Sequence, residues 1–165
     1  MTHPTPGGRL ERLRRVAGAV ESSSEAVLTV RMLGWGLVLR VLKRVVPLER
    51  LVRVVAIEPR HGPRDLGAER RIGRLARLAH RGSSVKRRDN CLERSLVAYR
   101  YLTAANAAPV LVVGARAGDA GIEGHVWLTV DGEPIHDAQA ALDLYTPVMT
   151  FGADGRARSL PDALP

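Results

Sequence analysis

Cysteine is nearly missing from this chain: Cys91 is the single one in 165 residues. One thiol excludes an internal disulfide framework and any cysteine-rich zinc site, and it suits a reducing compartment. Aromatic residues are also sparse, with two Trp, three Tyr and one Phe scattered singly. The stacking platform that single-stranded nucleic acid needs is therefore absent. Only two of the 25 basic side chains are lysines, an arginine bias that a GC-rich genome also produces. Long apolar runs are missing too. Within the apolar segment from Ala26 to Val46, Arg31 and Arg40 leave eight uncharged residues between them, Met32 to Leu39. That is short of the roughly 20 a membrane-spanning helix needs, so no membrane span is expected. The start, Met1-Thr2-His3-Pro4-Thr5-Pro6-Gly7-Gly8, has no apolar stretch behind a basic one, which predicts no secretion signal and a cytoplasmic protein. There is no internal repeat, no glycine-rich phosphate loop and no metal-ligand spacing, so neither cofactor nor metal is expected.

What the chain does have is basic charge, unevenly placed. Residues 1–100 hold 22 of the 25 basic side chains against 9 acidic ones, net +13, whereas 101–165 hold 3 against 8, net −5. Such a half could serve nucleic acid or an acidic peptide. Without aromatic platforms, a solvated basic surface is the better reading, and no nucleic-acid partner is expected. The 45% apolar content is that of a globular protein, long enough for one domain with a sizeable core.

In chain order, residues 1–9 read as a flexible tail and 10–82 as a helical region. The latter comprises a basic helix at Leu10–Val20, a capping signal at Ser22-Ser23-Ser24-Glu25, and an apolar helix ended by Pro47. A short helix with Leu48, Leu51, Val52 and Val55 stops before Pro59, and His61-Gly62-Pro63 is a loop. Leu66–His80 is amphipathic, with Ile72, Leu75, Ala76 and Ala79 on its buried side and Gly82 as C-terminal cap. Residues 83–155 read as the functional core and 156–165 as a frayed end. In the core, Pro109–Gly114 is a wholly apolar run suited to a central strand, Ala115–Gly121 a loop, and Leu144–Phe151 an edge strand because it contains Pro147.

Two segments of that core carry chemistry. In Arg87-Arg88-Asp89-Asn90-Cys91-Leu92-Glu93-Arg94-Ser95-Leu96, Asn90 is a good N-cap and Glu93 completes a capping box, so Cys91 falls in the first turn of a helix. There the macrodipole and free N–H groups favour a thiolate. Leu92, Leu96, Tyr99 and Leu102 give that helix an apolar stripe to set against a sheet. A solitary cysteine is ordinarily a small buried hydrophobe. The second segment changes that balance. Gly124-His125-Val126-Trp127-Leu128-Thr129-Val130 alternates, with His125, Trp127 and Thr129 on one face, and Asp131-Gly132 signals a hairpin. A two-residue turn would put Asp137 opposite Val126, on the wrong face for His125. A three-residue loop, Val130-Asp131-Gly132, would pair Trp127 with Ile135 and His125 with Asp137, and this register is the one expected. His136 then points away, and His61 and His80 read as structural. Trp127, beside His125, either shields the site or fills the core.

The order is helices, a helix bearing Cys91, a strand, a strand bearing His125 and a strand bearing Asp137. It is that of papain-like and transglutaminase-like cysteine enzymes, an α+β fold whose Cys-bearing helix packs on a small antiparallel sheet. In it a thiolate attacks a carbonyl, an imidazole holds and returns the proton, and a carboxylate fixes the ring.

More specifically, Asn90-Cys91-Leu92-Glu93-Arg94-Ser95-Leu96 resembles the Cys-Leu-x-Arg-Ser-Leu motif of the B2 proteins of lasso peptide biosynthesis. Gly124-His125-Val126-Trp127, Asp131-Gly132 and Asp137 resemble their His-x-Trp, Asp-Gly, Asp block. The motifs cover about residues 85–140, and the N-terminal part fits only in character. The resemblance implies a transglutaminase-like cysteine peptidase that removes the leader from a ribosomally made precursor. It implies Cys91 as nucleophile, His125 as base and then acid, and Asp137 as the residue orienting His125. It also implies partners: the leader peptide, a small B1-type recognition protein, and a separate ATP-dependent cyclase that closes the macrolactam afterwards. The basic, apolar N-terminal half is the expected docking surface. The Cys91 backbone N–H is an expected oxyanion donor. A transglutaminase-type acyl transferase and a non-catalytic peptide-binding scaffold remain as alternatives.

Overall fold

The computed structural model describes residues 23–57, 62–80, 91–119, 121–135 and 137–158, excepting the side chains of 77–80. The expected tail, the helix at Leu10–Val20, the caps at Ser22, Gly82 and Asn90, and His61 and His136 lie outside the described residues.

Three helices come first: α1 (Ser23–Leu42), α2 (Leu48–Val55) and α3 (Leu66–His80). Then follow α4 (Cys91–Ala104), the strands β1 (Val110–Gly118), β2 (Gly121–Val130) and β3 (Glu133–Pro134), a short helix α5 (Gln139–Leu142), and the strands β4 (Thr146–Phe151) and β5 (Ala157–Arg158). The strands form one antiparallel sheet in the order β3-β2-β1-β4-β5. The fold is α+β, and β1 is its central strand, as the apolar run at 109–114 predicts.

Helix α4 is the hub. Leu96, Val97, Ala98, Tyr99 and Leu102 are all wholly buried, more than a single stripe facing a sheet would require. The helix is covered on several sides. One side meets the sheet through Val126, Leu128 and Val130 of β2 and Leu111 of β1; the others meet Met32 and Leu39 of α1, Leu51, Val52 and Val55 of α2, and Ile72, Leu75 and Ala76 of α3. The opposite face of the sheet holds a smaller cluster, Val112, Trp127 and Leu142, with Tyr145 against it. Strand alternation thus sorts β2 as its sequence does, Val126, Leu128 and Val130 to the main core and Trp127 to the other side.

Two buried carboxylates tie α1 to the rest. Glu25 pairs with Arg74 of α3. Glu93 of α4 lies 2.9 Å from Lys43 Nζ and 3.7 Å from Arg40. Glu93, itself 3% exposed, therefore turns toward the end of α1, and the Asn90 half of its expected capping box lies outside the described residues.

Two further boundaries differ from the sequence reading. β1 continues to Gly118 through the expected loop at 115–121, because Arg116 faces Glu123 across the strands with Nη2–Oε2 2.9 Å and directly opposed unlike charges favour pairing. Ala157 and Arg158, placed by sequence in the frayed end, pair with β4 as β5. This puts β4 one strand in from the edge, yet β5 covers only Thr150 and Phe151, and Pro147 sits at a register shift opposite Gly114.

Candidate active site

The site begins with an interrupted sheet edge. Even-numbered residues of β2 turn their backbone groups toward β3: Val130 pairs with Glu133, and the Ile135 N–H donates to Leu128 O at 3.0 Å. The next such residue is Val126, and β3 no longer runs beside it. The first turns of α4 take its place. Ser95 Oγ, fully buried, donates to Val126 O at 3.0 Å, and the Val126 N–H donates to the Cys91 sulfur. One residue of β2 thereby fixes the start of α4 against the strand, with Cys91 beside His125.

Asp137 reaches His125 by a route other than the expected register. The turn is the two-residue kind, with Asp131 at φ 53° and Gly132 at φ 84°, the left-handed pair of a type I′ hairpin that Asp-Gly favours. Arg64, from the segment before α3, clamps it through a 2.6 Å bond to Asp131 Oδ2. Thr129 accordingly pairs with Pro134 and Val130 with Glu133. The three-residue loop and the pairings of Trp127 with Ile135 and His125 with Asp137 are thus corrected. On an unbroken ladder this register would send Asp137 to the wrong face. But the strand ends at Pro134, and Asp137 lies in a bend outside the ladder. Freed from alternation, its Oδ2 stands 3.6 Å from His125 Nε2. The structure so brings Cys91, His125 and Asp137 together.

The electrostatics follow from that contact. The Asp137 carboxylate first, and then the Cys91 sulfur, raise His125 to about 9 against the effect of burial. Burial pushes the Cys91 thiol up, but His125, the N–H groups of Val126 and Leu92 and the imidazolium charge outweigh it, so the thiol lies below its ordinary value. Burial likewise opposes ionisation of Asp137, and His125 and Arg94 overcome it and hold the carboxyl down. The shifts all favour one ionised arrangement, a thiolate beside an imidazolium beside a carboxylate. With Nε2 turned to Asp137, Nδ1 is the nitrogen left for the sulfur. The sulfur is partly exposed, and the His125 and Asp137 side chains keep 20% and 17% of their surface, so an incoming carbonyl can reach it.

Three neighbours had no place in the sequence reading of the site. Arg94 Nη2 donates to both Asp137 oxygens, at 2.8 and 2.7 Å. Ser95 anchors Val126 as described. Arg94 stands three residues after Cys91 and so on the same helical face, a signal that the motif itself contained. Tyr145 lies with its ring centroid 5.2 Å from that of His125, and no spacing in the sequence announces it. Trp127 fills the smaller cluster, 6% exposed, and its ring lies against that of His125 at 6.0 Å and 19°. Gly114 makes this possible, since a Cβ there would come within 2.6 Å of the indole. Among the described residues no group of His, Cys, Asp and Glu could hold a metal ion, and no helix is long and apolar enough to cross a membrane.

No curated protein and no solved structure is detectably similar to the chain. The transglutaminase-like superfamily, which includes cysteine proteases and acyltransferases of papain-like fold, matches residues 29–150, a span that takes in α2, α3, α4 and β1 to β3 as well as Cys91, His125 and Asp137. By that match the chain belongs to the transglutaminase-like superfamily.

Proposed function

We propose that this protein is a cysteine peptidase that removes the leader from a ribosomally synthesised lasso peptide precursor, acting with a B1-type recognition protein and before the ATP-dependent cyclase. The observation that carries this reading is the row of sulfur, imidazole and carboxylate at the start of α4, made of residues from both motif blocks. In the reaction, the Cys91 thiolate adds to the scissile carbonyl and His125 gives its proton to the leaving amine. Neutral His125 then takes a proton from water, which attacks the thioester and frees Cys91. Asp137 keeps Nε2 occupied, so the ring presents Nδ1 to the sulfur. The Cys91 backbone N–H, at the positive end of α4, is our candidate for one oxyanion donor.

We place the recognition partner on the N-terminal helices. Val27, Val30, Leu37 and Val41 lie along the outward side of α1 and are 53%, 68%, 64% and 62% exposed. An exposed apolar stripe of this size on a helix suits a protein contact.

The test is incubation of the protein with a candidate precursor and recognition protein, followed by mass spectrometry. Two fragments are expected, and neither with Cys91→Ala or His125→Ala. Superfamily membership favours one alternative, acyl transfer to an amine. It would leave a crosslinked product and no free leader. Leader binding with Cys91 inert to iodoacetamide at neutral pH would instead mark a scaffold.

A further inference from the structure

We propose that Arg94 is a positioning residue: it fixes Asp137 in front of His125, in place of the strand pairing that this stretch of chain has given up. The inference rests on the peptidase reading only in taking Cys91 as the group that is served. Asp137 lies beyond the end of β3, in a bend, so no ladder bond sets its backbone. What holds its carboxylate is Arg94, with 2.8 and 2.7 Å to the two oxygens, against 3.6 Å for His125. The grip is on the ion more than on the fold. Arg94 Nε is buried with no acceptor among the described residues, a cost that a guanidinium placed for helix stability alone would not carry. The helix also supplies the geometry. Arg94 stands one turn after Cys91, so α4 delivers both the sulfur and the clamp for the carboxylate that steers the sulfur's partner. A shift of α4 along β2 would move both together.

Among the described residues, the charged and titratable groups around Asp137 are few. From α4 come Cys91 and Arg94, and from β2 comes His125. Behind the ring lies Tyr145, with Arg116 4.8 Å from its centroid and itself paired with Glu123. Arg94 could act on this set in two opposed ways. As a positioning group it keeps the carboxylate within reach of His125, and its loss weakens the imidazolium. As a competitor it draws the carboxylate away, and its loss strengthens the imidazolium. The two differ in sign.

The experiment is the rate of Cys91 alkylation by iodoacetamide across pH in the full-length protein, which needs no peptide substrate. In Arg94→Met the acid limb, where the thiolate forms, is expected to move up by about one pH unit, and the step at His125 to fall below its native position. Arg94→Lys, which keeps the charge but not the fork, should lie between. In an Asp137→Asn background Arg94→Met should add nothing further, because the route runs through the carboxylate. An unchanged profile, a His125 step that moves up, or an equal further shift without Asp137 overturns the proposal. If Arg94→Met does not fold, the Arg94→Lys profile decides by the same signs. Loss of precursor cleavage in every form of the protein, with the alkylation shifts present, would sink the peptidase reading and leave this one standing.

Discussion

At Cys91 burial and hydrogen bonding oppose each other, and the pH dependence reports which prevails. Burial raises the thiol; His125, two backbone N–H groups and the imidazolium charge lower it further than burial raises it. His125 for its part is carried up to about 9. Between these two titrations the ion pair is the dominant form. Precursor cleavage should therefore rise with pH through a limb below the ordinary thiol range, as Cys91 ionises. It should fall through a limb near 9, as His125 loses the proton that the leaving amine requires. Initial rates from pH 5 to 10 check this, and a single rising limb centred on an unperturbed thiol would contradict it. Iodoacetamide needs no such proton, so alkylation should not fall at the upper limb. Cys91, His125 and Asp137 were legible in the sequence because residue type and order carry most of their signal. Arg94's place on the Cys91 face of the helix was in the motif, but its contact with Asp137 was not, nor was Tyr145's with His125, because those depend on where a bend and a short helix put the chain.

The hairpin is where reasoning from local pattern met its limit. Alternation in β2 and the Asp-Gly turn were readable, yet the register inferred from them assumed a strand that ran on to Asp137. The turn follows the stronger local preference, two left-handed residues, and the chain reconciles this with the site by ending β3 early. The edge left open at Val126 is then closed by Ser95 and Cys91. Removing the hydroxyl in Ser95→Ala strands a buried carbonyl, which costs about 1–3 kcal/mol, and loosens the start of α4. Chemical denaturation should show that loss, with slower alkylation of Cys91 beside it. The neighbouring strand β1 supplies a steric test on the opposite face of the sheet. Gly114→Ala puts a methyl 2.6 Å from the Trp127 ring, and overpacking of this kind costs about 1–3 kcal/mol. Because Trp127 stacks on His125, the substitution should reduce cleavage by more than its effect on stability explains, with Trp fluorescence following the displaced ring.

Over the molecule as a whole, the helices and the sheet share one core around α4, the single core that length and composition suggest but whose members periodicity does not assign. The sequence separates a helical region at 10–82 from a core at 83–155, since the two differ in charge and pattern. In the fold, α1, α2 and α3 supply Met32, Leu39, Leu51, Val52, Val55, Ile72 and Leu75, each at most 3% exposed, to the same cluster as Leu96, Tyr99 and Leu128. Burying a side chain of this size is worth roughly 1.5–3 kcal/mol, so the seven together stabilise by upwards of about 10 kcal/mol even at the lower value. Net stability of a domain is only about 5–15 kcal/mol. The sheet and α4 alone would thus lose most or all of it, and would also leave Glu93 without Lys43, 2.9 Å from it. We therefore expect the full chain to unfold in urea as one transition, with far-UV circular dichroism and Trp35 and Trp127 fluorescence coinciding. Residues 83–155 expressed alone should show neither a cooperative transition nor a lowered thiol at Cys91. Two separated transitions, or a truncated core that folds and alkylates like the whole, would mean that the N-terminal helices rest on the core without completing it.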